Sequence, residues 1–180
     1  MMMLMREIKV PSGVKVELSA DKSEITISGK LGSTKKRISS RLLTVAVSGD
    51  KISITEVKHK KLAKKAALAA QALSSEIQRA VAGVESGMER KMKIVFAHFP
   101  MSIEIKGDSV LAKNVLGEKK PRVARIVGST KVEVKGQDIT VKGVDPYDVG
   151  QTAANINRLS FARHKDSRVF QDGIFFVQEE

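Results

Sequence analysis

Alternation of apolar and polar residues predicts short β-strands in the chain. In the amino-terminal half, apolar residues take every second position in four segments: Val14, Val16 and Leu18; Ile25 and Ile27; Val45 and Val47; Ile52 and Ile54. A period of two places one face of a strand on a core and the other in water. Gly49-Asp50 and Gly136-Gln137 each separate two such runs. Because glycine accepts a positive φ, both pairs predict hairpin turns and antiparallel sheets.

A spacing of three to four residues predicts one amphipathic helix after each set of strands. The apolar stripe of the first helix is Leu62, Ala66, Ala69, Leu73, Ile77, Ala80 and Val84, with Gly83 and Gly87 at its end. The second helix is predicted to begin with Asp145 as N-cap and Pro146 as its first residue, and Asp148 suits the positive first turn. Its stripe is Val149, Ala153, Ile156 and Leu159 or Ser160.

The chain contains an internal repeat at an offset of 85 to 87 residues. Four segments of the first half are matched in order in the second: 16–18 by 103–105, 31–32 by 116–117, 35–37 by 120–122, and 43–55 by 130–142. A repeat of this length indicates a duplicated domain. We therefore predict an α+β fold, a tandem duplication of a small antiparallel β-sheet packed against one α-helix. The predicted domains are 1–83 and 84–180, and segment 91–97 is assigned to the second.

The charge balance favours a polyanionic partner. The chain has 32 Lys and Arg against 20 Asp and Glu, a net charge of +12, and a pI of about 10.0. Such a balance favours nucleic acid or an anionic surface as partner. Residues 1–83 hold 16 basic and 7 acidic side chains, and residues 84–180 hold 16 and 13. The first half therefore carries most of the excess.

Several classes of protein find no support in the sequence. Cysteine is absent, which suits a reducing cytoplasm. The apolar runs at the amino terminus and at 66–75 are too short for a signal peptide or a bilayer span, so we predict a cytoplasmic protein with no membrane partner. His59, His98 and His164 are scattered, and no HExxH, GxSxG or Walker motif occurs. We predict no enzyme activity, metal, cofactor or small-molecule substrate.

The strongest candidate site follows the second helix. Five cationic side chains lie within about a dozen positions there, and we call them the arm cations: Arg158, Arg163, His164, Lys165 and Arg168. With few aromatic residues and no tryptophan, the chain favours recognition of folded RNA by shape and phosphate over base reading. Phe161, Phe170, Phe175 and Phe176 are accordingly expected in the core, and the alternative for Phe161 and Phe170 is to stack on a base of RNA.

Further cations are secondary candidates for contact with RNA or protein. Two clusters are expected in equivalent loops between strands of the two copies: Lys35, Lys36 and Arg37, and Lys119, Lys120 and Arg122. A third cluster stands at the start of the first helix: Lys58, Lys60, Lys61, Lys64 and Lys65. The helix dipole is unfavourable to cations at that end, so these lysines are expected either to meet an external anion or to form a solvated face.

The segments GVDPYDVGQTAANI and RLSFARHKDSRVFQDGIFF, with the duplication, resemble large-subunit ribosomal protein six in its archaeal and eukaryotic form. The resemblance implies a structural constituent of the large ribosomal subunit that binds large-subunit rRNA near its 3′ end. It further implies support of the sarcin-ricin loop, with neighbouring ribosomal proteins and translational GTPases nearby. The family's RNA-binding arm corresponds here to the arm cations, and Gly173 to a turn into the last strand. The alternative is a non-ribosomal basic adaptor that docks an acidic protein.

Overall fold

A computed structural model describes residues 5–48, 51–56, 62–162, 165–166 and 168–177 of the chain. The chain divides into two compact units, residues 1–87 and 88–180, which are described separately below. The predicted domain boundary at residue 83 lies inside the helix that closes the first unit.

The first unit contains two antiparallel sheets and one helix. Its elements are β1 (Met5–Lys9), β2 (Lys15–Leu18), β3 (Glu24–Ser28), β4 (Ser33–Arg37), β5 (Leu43–Ser48), β6 (Lys51–Glu56) and α1 (Ala63–Ser86). The strand orders are β1-β6-β5 and β2-β3-β4. Helix α1 contacts strands of both sheets and buries Leu73, Ile77 and Val84 against them. The core therefore lies between this helix and the inward faces of the sheets.

The second unit repeats this order and adds one strand. Its elements are β7 (Met88–Val95), β8 (Ser102–Lys106), β9 (Ser109–Lys113), β10 (Arg122–Arg125), β11 (Lys131–Lys135), β12 (Asp138–Gly143), α2 (Pro146–Leu159) and β13 (Gly173–Phe176). The strand orders are β11-β12-β7-β13 and β10-β9-β8. Helix α2 buries Val149, Ala153 and Ile156 in the core of this unit. The additional strand β13 pairs antiparallel with β7 and brings the carboxyl-terminal segment onto the sheet.

The predicted α+β class is confirmed, with one addition. Each unit has two sheets where one was predicted, because the alternating segments were assigned to a single sheet in each copy. In the first unit, β6 pairs with β1 and β5, while β3 pairs with β2 and β4. Strand β1 was not predicted. The second edge of β6 therefore had no predicted partner.

The two helices begin differently. At α2, the Asp145 carboxylate accepts a hydrogen bond of 2.9 Å from the backbone N–H of Tyr147, and Pro146 follows it, as predicted. At α1, Leu62 occupies the N-cap position and makes no side-chain cap, and the first turn holds no acidic residue. The predicted turn at Gly136 is present, with φ of 61° between β11 and β12. The equivalent pair Gly49-Asp50 lies outside the described residues.

Candidate nucleic-acid interface

The arm cations begin at the end of α2. Arg158 is exposed in the last helical turn, where the negative end of the helix dipole stabilises a cation. Lys165 and Arg168 are also exposed, and the Lys165 ammonium lies 4.6 Å from the centre of the Phe170 ring. This separation is within the range of a cation–π interaction. Arg163 and His164 lie outside the described residues, so their part in the site stays a prediction.

A turn at Asp166 shapes the segment that carries Lys165 and Arg168. The Asp166 carboxylate accepts from the backbone N–H of Arg168 at 2.9 Å. Its backbone carbonyl accepts from the N–H groups of Val169 and Phe170, at 3.2 and 3.0 Å. Asp166 therefore acts within the segment as a local turn former, and the side chains of Lys165 and Arg168 project into solvent.

Asp172 anchors the end of this segment to the unit. Its buried carboxylate accepts from the backbone N–H groups of Ala97, His98 and Phe99, at 2.7, 3.2 and 3.2 Å. The His98 imidazole Nδ1 lies 3.5 Å away. Burial by itself would raise the pKa of Asp172, but the bonds from the backbone amides and the imidazole outweigh it and lower that pKa. The carboxylate is therefore held in its charged form.

Polar residues at the end of α2 hold strand β13. The Asn157 side-chain amide donates to the Ile174 carbonyl at 2.6 Å, and the Ser160 hydroxyl accepts from the Ile174 N–H at 2.9 Å. Gly173, expected at a turn into the last strand, is the first residue of β13. A Cβ on it would lie 2.9 Å from the distal ring carbon of the Phe175 side chain, so a larger residue there would displace that ring.

Arg122 serves a different purpose from the one expected. Its guanidinium donates to the carbonyls of Leu159 and Phe161, at 2.7 and 2.8 Å, and forms a two-bond ion pair with Glu118. Bonding to Glu118 raises the pKa of Arg122 despite partial burial. The side chain is only 17% exposed. Arg122 therefore clamps the end of α2, and four of its five N–H donors are bonded within the protein.

A basic groove of about 610 Å³ lies between α2 and the segment that contains β10. Lys120, Arg125 and Arg158 line it, and all three residues are exposed. The Asn155 side chain donates to the Arg125 carbonyl at 3.0 Å and so ties the strand to the helix. Arg125 was not predicted as a site residue, because a single arginine in a strand has the same pattern as any solvated face. The groove brings Arg158 together with Lys120 and Arg125, which precede it by 38 and 33 residues in the chain.

The remaining secondary candidates are dispersed. Lys35, Lys36 and Arg37 lie in strand β4, so the expected loop was wrong for this cluster. Three successive cations show no apolar alternation, so this strand was not predicted. Its buried residue is Thr34. Lys119 is exposed near Lys120, and Lys64 and Lys65 are exposed in the first turn of α1. Lys58, Lys60 and Lys61 lie outside the described residues.

The expected burial of the phenylalanines was wrong for most of them. Phe161 is 69% exposed, and Phe175 and Phe176 are 48% and 50% exposed. Phe170 is partly buried and packs on the core of the second unit. Hydrophobicity alone predicted four core residues, but Phe161 follows the last turn of α2 and both Phe175 and Phe176 lie on the terminal strand. The second unit therefore presents aromatic surface beside its cations.

Among the residues that the structure describes, no group of three or more His, Asp or Glu side chains has an arrangement that would hold a metal ion. Neither described helix is sufficiently long and apolar to cross a membrane.

Comparison with known proteins defines the class and then the family. Residues 99–173 match the family model described as ribosomal protein L6. The large ribosomal subunit protein uL6 of Picrophilus torridus is 40% identical over 174 residues, covering 97% of this chain and 94% of that protein. The uL6 protein of Methanosarcina mazei is 40% identical over 178 residues, covering 97% and 96%. The chain is thus a ribosomal protein.

In particular, it belongs to the family of large ribosomal subunit protein uL6. This confirms the resemblance found in the sequence, including its archaeal form, since these relatives are archaeal. A ribosomal protein of this family resides on the cytoplasmic ribosome, as predicted.

Proposed function

We propose that this chain is a structural constituent of the large ribosomal subunit that binds large-subunit rRNA chiefly through its second unit. Membership of the uL6 family supports the ribosomal role. The observation that carries the RNA-binding role is the fixed cluster of cations around the end of α2. Arg158 and Arg125 share one groove, while Lys165 and Arg168 extend from the anchored segment beyond it.

This arrangement suits phosphate binding. Phosphate contacts dominate the affinity of nucleic-acid-binding proteins and require cations held at fixed positions on the surface. The Arg122 clamp, the Asp172 anchor and the Asn157 bond fix the backbone on both sides of the arm. The proposed role is structural.

The proposed position of the chain on the large subunit follows from its resemblance to the family. We propose that the chain contacts rRNA near the 3′ end and supports the sarcin-ricin loop, close to neighbouring ribosomal proteins and to the region where translational GTPases bind. Chemical probing of subunits assembled with and without the chain tests this. Increased reactivity of the sarcin-ricin loop without the chain is the expected result, and unchanged reactivity there contradicts it.

The salt dependence of RNA binding tests the contribution of the arm. If about five cations neutralise phosphates, log K falls with log salt at a slope of about 4 in magnitude. The triple variant Arg158→Ala, Lys165→Ala, Arg168→Ala is expected to reduce this slope by about 2 to 3. Filter binding of the full chain to transcribed large-subunit rRNA, over a series of salt concentrations, measures it.

A matched control removes the same number of charges from the first unit. Lys9, Lys30 and Arg41 are exposed, and none belongs to a candidate cluster. Their replacement by Ala is expected to change the slope by less than one unit. Equal losses in both triple variants would show that binding depends on overall charge and would remove the arm as the anchor.

Fractionation of cell lysate separates the ribosomal role from that of an adaptor. A subunit constituent is expected to sediment with the large subunit and to be released by high salt or by RNA digestion. An adaptor that docks an acidic protein would remain in the soluble fraction at every salt concentration.

A further inference from the structure

An apolar groove of about 580 Å³ lies on the second unit beside the arm. The side chains of Val95, Phe161, Ala162, Phe170 and Phe175 line it. Phe161 and Phe175 are each about half exposed or more, at 69% and 48%. Large aromatic side chains exposed together on a concave surface indicate a binding site more than a packing defect.

The surrounding structure holds the backbone of Phe161 and the ring of Phe175. The Phe161 carbonyl accepts from the Arg122 guanidinium at 2.8 Å, which fixes the backbone that carries the ring. The Phe175 ring packs against the backbone of Gly173, where no side chain intervenes. A binding surface of this kind loses little conformational entropy when a ligand docks.

Lys165 borders the groove, because its ammonium sits 4.6 Å from the centre of the Phe170 ring that forms part of the lining. Arg158 precedes Phe161 by one helical turn in the chain and lines the basic groove. A ligand that matches both features has a flat, apolar face joined to negative charge. An apolar protein side chain would use the groove but would gain nothing from the cations. A nucleotide of an RNA strand combines the two, because its base stacks and its phosphates are anionic.

We propose that this groove receives an unpaired base of RNA, stacked on Phe161, with the flanking phosphates bound by Arg158 and Lys165. The proposal rests on the RNA-binding function proposed above and adds a base contact to a site otherwise made of phosphate contacts. Phe175 forms the wall of the groove against which the base is held. The second unit would then fix RNA by both charge and stacking.

Binding of the full chain to transcribed large-subunit rRNA, measured over a series of salt concentrations, tests the proposal. Phe161→Ala is expected to weaken binding by about 5-fold to 150-fold, the range of one lost base stack. The salt slope is expected to stay unchanged, because no charge is removed. Phe161→Trp should bind at least as tightly as the unaltered protein.

Two variants serve as controls. Phe161→Leu retains apolar volume without an aromatic face, so it is expected to weaken binding nearly as much as Phe161→Ala. Phe176→Ala removes a phenylalanine of similar exposure, 50%, that lines a separate groove with Arg90 and Lys91. Its affinity is expected to stay within about twofold of the unaltered protein, and thermal unfolding checks that every variant folds.

The outcomes distinguish the stacking proposal from the proposed RNA-binding function on which it rests. If the unaltered chain binds no RNA, the proposed function fails and the stacking site fails with it. If the unaltered chain binds RNA but Phe161→Leu or Phe161→Ala binds equally well, the stacking proposal is wrong and the RNA-binding function is retained. Ultraviolet crosslinking of Phe161 to a base in assembled subunits supports the proposal, whereas a crosslink to a neighbouring protein overturns it.

Discussion

The two units share one order of strands and helix, yet their helices use polar side chains in different ways. In α1, the hydroxyls of Ser74 and Ser86 donate to carbonyls of their own helix. In α2, Asn155 and Asn157 donate to the backbones of Arg125 and Ile174, which belong to other elements. Helix α1 therefore covers a core, whereas α2 also positions the segments around it.

The two units also differ in how their charged residues are arranged. Residues 1–87 hold 16 basic and 8 acidic side chains, and residues 88–180 hold 16 and 12. The first unit has the larger excess, but the cations of the proposed site belong to the second, where Arg122 and Asp172 fix the backbone around them. Net charge thus indicates the kind of partner, and the hydrogen bonds of the backbone indicate where a precise contact is possible.

The largest effect is expected at Asp172, an anchor of the second unit. Asp172→Ala removes the acceptor for three backbone N–H groups. We expect the free energy of unfolding to fall by about 3 kcal/mol, since bonds to a charged acceptor contribute more than neutral ones. Hydrogen exchange followed by mass spectrometry should show lost protection in β13 and α2 and none in α1. Equal loss in α1 would mean that the units unfold together.

The stability that Asp172 contributes is expected to decrease in acid. The pKa of Asp172 is lowered from an ordinary value of 3.8. A lowered pKa stabilises the folded state above the unfolded-state value, and the stabilisation disappears as the pH falls through the folded-state value. The difference in stability between the unaltered protein and Asp172→Ala should therefore be constant at neutral pH and shrink below about pH 3.8. A difference that persists unchanged in stronger acid would show that the charge is not its source.

The clamp at Arg122 is expected to have the next largest effect. Arg122→Lys keeps the charge but cannot reproduce the fork that binds two carbonyls and Glu118, so a loss of about 2 kcal/mol is expected. Urea unfolding measures it. RNA affinity should fall while the salt slope stays constant, because the same cations meet phosphates in the complex but a less firmly held arm must be ordered on binding. Full stability in Arg122→Lys would restore Arg122 as a candidate RNA contact.

Local patterns predicted those parts of the fold that depend on neighbouring residues. The strand alternation, the stripe of α2 and the cap at Asp145 are all set within a few positions. The pairing of β1 with β6 joins residues about 45 positions apart, and no local pattern specifies it. Strand β4 was missed because Lys35, Lys36 and Arg37 carry no apolar alternation.

The same division applies to the candidate site. The clustering of the arm cations was visible in the sequence, because they are close in the chain. The anchor at Asp172 was not, since its partners are backbone groups up to 75 residues away, and backbone groups are present at every position. The exposure of Phe161 was also hidden, because residue type alone favours burial.

A smaller effect is expected from the cap that distinguishes α2 from α1. Asp145→Ala should reduce the stability of the second unit by about 1 kcal/mol, because the N–H of Tyr147 loses its acceptor. Asp145→Asn, which preserves a cap, should cost much less. Hydrogen exchange in the first turn of α2 measures both. Similar losses in both variants would attribute the effect to the charge of Asp145 near the helix dipole.

The smallest effect is expected at the uncapped start of α1. Lys65 is exposed in the first turn, where a cation opposes the helix dipole. Lys65→Glu should therefore stabilise the first unit by about 0.5 kcal/mol, whereas Arg79→Glu, in the helix interior, should not. If this end of α1 contacts rRNA, Lys65→Glu should also weaken RNA binding and lower its salt slope by about one unit or more. Improved stability with unchanged RNA affinity would assign these lysines to a solvated face and leave RNA binding to the second unit.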